Sequence, residues 1–317
     1  MKPIKTILFF FGATLFIGCA EVEDSETDTT QDTAADTSAD TGDVESAYED
    51  IERRPNNDEV AGNPLCSGEI LSTKGVEAML PLTAPLKSNE SIYTIYDRID
   101  GIASLFEDCG DPWGMFPTAY RHITRRIIKA IDGREIEDSQ WGKDIVLDFA
   151  SRYLYNLELA LTNGRPSYAW TQYYYLADNG DVSRTRAVVV AMVAHLTLDL
   201  PYALVEIDSQ EEHKDDYFVL GELMIEITPD FIQDLRDYYD TDAEAILNGF
   251  FMGKWIDGAF GKDTTITLSY QTIRTKSWNN RWLLQQWWGV PVAEGEIYTA
   301  FWAIDGVLAT LDATGKI

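Results

Sequence analysis

Beyond residue 86 the apolar side chains recur every three or four positions, and alternation of the strand type is scarce. Ile92, Ile95, Tyr96, Ile99, Ile102 and Phe106 mark one helix. Pro117 is placed to open a second, which carries Tyr120, Ile123, Ile127 and Ile128 to a stop at Gly133. Asp138 or Ser139 caps a third that runs through Ile145, Phe149, Tyr153 and Leu157 to Leu161, with Gly164 after it. A short aromatic helix follows around Trp170 to Leu176, and another spans about Ser183 to Leu198. Thr228-Pro229 starts a helix directly after one over Asp215 to Ile227, and three more cover about 242–260, 264–288 and 294–311. The pattern predicts an all-α domain of eight to ten helices over 90–317, with 61–89 as a lead-in.

One helix breaks the pattern of a single apolar stripe. From Ala187 to Leu198 apolar residues go round the whole cylinder, which predicts a buried central helix. His195 and Asp199 sit within that run, four residues apart and so on one face. Two readings stand. The pair is a general base with its orienting partner, or a metal ligand pair. Alternatively it is a satisfied core hydrogen bond, or Asp199 caps a new helix because Pro201 disfavours helical backbone at Leu200 and ends or kinks the run. Only His122 and His213 remain as further histidines, and His213 lies in the charge run DSQEEHKDD, so any metal is a single divalent ion held largely by carboxylates. In RTKSWNNRWLLQQWWG, Arg274, Trp278 and Trp282 are spaced by four, which permits a guanidinium to stack on indole, to line a pocket or to fill core.

The first sixty residues change the picture of where the domain works. Lys2 and Lys5 precede an apolar stretch, Ile7 to Ile17, too short to span a membrane, which is a signal-peptide pattern. Its end, Leu15-Phe16-Ile17-Gly18-Cys19-Ala20, resembles a bacterial lipoprotein signal over residues 1–18, with Cys19 as the lipidated residue. Ala20 after it resembles an outer-membrane address. Glu21 to Glu59 carries net −13 of the chain's −28 and few large apolar groups. Residues 19–60 therefore read as a disordered acidic tether from a membrane anchor, with a calcium- or partner-binding tail as the alternative. The negative charge argues against nucleic acid as a partner. In an exported chain Cys66 and Cys109 are left to form a disulfide.

Five stretches, DPWGMFPTAYRHIT, FASRYLYNLELALTNGRPSYAW, MVAHLTLDLPYAL, DDYFVLGELM and RTKSWNNRWLL, together resemble an uncharacterised, mostly bacterial all-helical family, DUF5995, over about residues 90–290. Its hallmark reads approximately Met-Asn-Ala-His-Ile-Asn-x-Asp-Leu. The resemblance singles out Asp111, Phe116, Tyr120, Thr124, His195, Asp199, Asp216, Arg274 and Trp278. Val193 and Thr197 stand where the hallmark has Asn. It implies no chemistry. The expectation is a lipid-anchored envelope domain that binds a ligand or partner, with Asp111, Tyr120, Arg274 and Trp278 as binding candidates. The alternative is a metal-assisted or acid/base hydrolase with His195 as base or ligand, Asp199 as its partner and Arg274 neutralising an anion.

Overall fold

A computed structural model describes residues 62–252 and 270–317. The signal segment, Cys19 and the acidic tether lie outside the described residues, as does the expected helical stretch after Met252 up to residue 269. Among the described residues there are eleven helices and a single two-stranded hairpin, Cys66–Ser67 with Ile70–Leu71. In chain order they are α1 (Thr73–Thr83), α2 (Ile92–Glu107), α3 (Met115–Asp132), α4 (Ser139–Leu161), α5 (Tyr168–Asp178), α6 (Arg184–Glu206), α7 (Lys214–Glu226), α8 (Thr228–Tyr239), α9 (Glu244–Met252), α10 (Tyr270–Leu284) and α11 (Val290–Ala313).

The starts obey the capping chemistry of their sequences. Ser91, Asp138, Ser167 and Ser183 each accept hydrogen bonds from backbone amides two or three residues on. α3 begins before Pro117, because a 3₁₀ turn at Pro112–Gly114, capped by Asp111, feeds straight into it. The lead-in holds more structure than expected. α1 packs on α2 and α4 and the hairpin on α1 and α2, Cys66 is bonded to Cys109, and Arg98 of α2 donates to the carbonyls of Leu82 and Ala84 at the end of α1. Residues 62–89 belong to the same compact unit as the rest of the fold.

α6 is the centre of that unit. Every residue from Ala187 to Ala194 is buried, and α3, α4, α5, α10 and α11 all pack against it. It is long and apolar enough to cross a membrane, but 83% of its most apolar window lies inside the domain, so its hydrophobicity is used for core packing. Contrary to expectation, Pro201 does not end it. His195–Asp199 form a π turn in which the Leu200 amide reaches back to the His195 carbonyl, and the helix continues to Glu206. The wider turn accommodates a residue without an N–H at 201. It also leaves the Leu196 carbonyl without its helical donor, and the Ser277 hydroxyl of α10 supplies one at 2.6 Å.

Candidate functional site

The π turn sets both His195 and Asp199 facing the core, each 4% exposed. Asp199 Oδ2 accepts from Trp170 Nε1 and pairs with His195 Nδ1, both at 2.8 Å. That arrangement puts the proton of a neutral imidazole on Nδ1, and Nε2 has no hydrogen-bond partner among the described residues. Burial pushes the imidazole below its usual pKa against the upward pull of Asp199, so neutral is its resting form. Four rings enclose it: Phe149 stacks flat at 3.4 Å between centroids, and Phe116, Tyr120 and Trp170 meet it edge-on at 5.3, 4.9 and 5.8 Å.

Beyond Phe149 and Tyr120 lies a cavity of about 50 Å³ between α3, α4, α6, α7 and α10. Its walls are aliphatic and aromatic except for the hydroxyls of Thr124 and three tyrosines and the guanidinium of Arg274. Arg274 is 3% exposed, stacks over Tyr217 at 4.1 Å, and donates through Nη2 to the Tyr217 carbonyl. Its Nη1 has no partner among the described residues, and no carboxylate there pairs with it. Gly221 makes this seat: a side-chain carbon at 221 would fall inside the van der Waals shell of Nη1 and Cζ. Tyr120 contributes a hydroxyl held protonated by burial and by the nearby charges of Asp199 and Asp148.

A family model described as a family of unknown function, DUF5995, matches residues 92–296. The chain belongs to this family. No curated protein and no solved structure matches it. The fold brings together Tyr120, Arg274, Thr124 and Phe149 at the cavity, with His195 and Asp199 directly behind. It does not bring Asp111, Asp216 or Trp278 there. Asp111 accepts from the amides of Leu71 and Trp113 and so ties the hairpin to the 3₁₀ turn. Asp216 accepts from Glu137 and Asp138 amides at the entry to α4. Trp278 packs on Tyr217 and carries Arg281, not Arg274, over its face at 3.8 Å, while Trp282 on the same helix is half exposed against Trp288. Of the two hallmark departures, Val193 is core and Thr197 donates to its carbonyl.

Metal chemistry finds no donor set: among the described residues no three His, Cys, Asp or Glu side chains converge. The reading from sequence left out one buried polar network. Arg121 forks onto Glu107 and also reaches Asp234, which pairs with His122 at 2.6 Å, and Thr118 bridges Glu107 to Tyr239. The signal was available as three charged residues, Glu107, Arg121 and Asp234, set among apolar positions of three helices. The network holds α2, α3 and α8 together.

Proposed function

We propose that this DUF5995 domain binds a small ligand without chemically altering it, and that Cys19 lipidation holds it at the bacterial envelope, at the outer membrane. The observation that carries the binding reading is access. The cavity has a rim, marked by the half-buried Ile127, Phe149 and Met224, whereas the imidazole beside it, that of His195, is covered by Phe149. His195, Asp199 and Trp170 then act as a polar fastener that fixes α6 against α5. The unpaired Nε2 of His195 favours a second reading, in which a substrate displaces Phe149 and the imidazole acts as base.

Titration of the full-length protein with 1-hexanol, followed by the methyl resonance of Met224, separates the two. Binding predicts a saturable shift that His195→Gln leaves in place while lowering the melting temperature. No saturable shift in the wild type would refute the cavity as a binding place. For the anchor, Cys19→Ala is expected to move the protein from the membrane to the soluble fraction; unchanged fractionation would exclude lipid on that residue.

A further inference from the structure

We infer that the ligand of the Arg274 cavity is a monocarboxylate with an aliphatic body, its carboxylate on the guanidinium and its chain leaving past Phe149. This rests on the reading of the cavity as a binding place and names what it binds.

The argument starts from charge. A buried guanidinium is ordinarily matched by a carboxylate, because an uncompensated charge in an apolar surrounding is strongly unfavourable. Each of the other buried arginines has a carboxylate within reach: Arg121 has Glu107 and Asp234, Arg98 has Glu90, and Arg281 has Glu211 at 3.7 Å. Arg274 has a carbonyl, three aromatic faces and an unused Nη1. Among the described residues no other charged side chain lines the cavity, so the site offers one positive charge and takes one negative charge. A phosphate dianion would carry an unmatched charge into the same apolar walls.

Shape points the same way. A volume of about 50 Å³ exceeds the roughly 30 Å³ share of one water, room for a carboxylate and its first methylenes. Ile123, Ile145, Leu196 and Leu200 offer nothing polar to anything longer, and the half-buried rim residues carry the rest of a chain outward. Tyr120, whose hydroxyl is held protonated, is among the residues that line the same chamber. A guanidinium with a free N–H and a hydroxyl donor are the two groups a carboxylate uses.

Calorimetric titration of the full-length protein at neutral pH with hexanoate, 1-hexanol and inorganic phosphate tests this. Hexanoate is expected to bind at least about tenfold more tightly than hexanol, the advantage of a charge-assisted over a neutral contact, and phosphate to show no saturable binding. Arg274→Gln should reduce the hexanoate preference to within about twofold and leave hexanol as it was. Tyr120→Phe, which keeps the ring, should weaken hexanoate about three- to tenfold and spare hexanol, and it decides the matter if Arg274→Gln does not fold. Equal affinity of the wild type for hexanoate and hexanol, or tighter binding of phosphate, would overturn the inference and leave the cavity as a binding place. Binding of neither hexanoate nor hexanol would overturn both.

Discussion

The Leu196 carbonyl offers a test of why α6 runs through Pro201. In an α-helix this carbonyl takes the amide of residue 200, but that amide goes to His195, and residue 201 has none to give. The hydroxyl of Ser277, 2% exposed, is its donor at 2.6 Å, and Leu196 is 3% exposed, so water is no substitute. Ser277→Ala therefore strands a buried acceptor, at a cost of about 1–3 kcal/mol. For a domain of this size that corresponds to roughly 2–12 °C in Tm. Pro201→Ala restores an N–H one residue beyond Leu200, which the wide turn places within reach of Leu196 by the same i→i−5 pattern. The cost of Ser277→Ala should then shrink, giving a coupling energy of about 0.5–2 kcal/mol between sites on different helices. Urea unfolding of the four proteins, followed by circular dichroism with the disulfide intact, measures the cycle. An equal cost of Ser277→Ala in both backgrounds would show that the freed carbonyl is not what the serine serves.

Three further outcomes are expected. Because burial lowers the His195 pKa in the folded state, the unfolded chain takes its proton first, at about pH 6.5; the stability of the neutral form is present above that pH and is lost as pH falls through it. The urea midpoint of the wild type should accordingly fall more between pH 7.5 and 5.5 than that of His195→Gln, and parallel pH profiles would contradict the assignment. Replacing both Cys66 and Cys109 by Ser opens a loop with a sequence separation of 43 and should cost up to about 4 kcal/mol; reductant should destabilise the wild type alike and leave the double variant untouched. Gly221→Ala places a methyl on the Arg274 guanidinium and should cost about 1–3 kcal/mol, with most of that cost absent in an Arg274→Ala background; the same cost in both would mean that the glycine serves its own backbone instead.

Long-period features were legible in the chain and pairings across it were not. The helices from Ile92 to Leu161 declare themselves through apolar spacing and through Asp138 and Gly164, which act locally. Ala187–Leu198 announces its burial because no face of it is polar. The π turn was hidden, since Pro201 reads as a stop unless a serine 76 residues later is known to take up the freed carbonyl. α1 was hidden by Pro81 near its end and by its dependence on Arg98 and the disulfide for a partner. At the site, a spacing of four put Arg274 beside Trp278, but the guanidinium turned to Tyr217, because Gly221 on α7 leaves it a seat no side chain occupies. Such vacancies belong to two helices at once.

The arrangement also explains why so many polar positions singled out by the DUF5995 resemblance turn out to hold backbone. Asp111 and Asp216 each accept two backbone amides, Asp199 accepts the indole N–H of Trp170 and pairs with the imidazole of His195, and Thr124 turns back on its own helix. A polar group spent on such bonds has little left to offer a ligand. Arg274 differs in kind: it is as deeply buried as any of them, yet it keeps a donor unspent and a charge unmatched. Burial of that charge costs stability which its stacking on Tyr217 offsets only in part. Among the described residues Arg274 is the buried arginine that no carboxylate reaches, and so the one to which an anion from outside the chain has most to give.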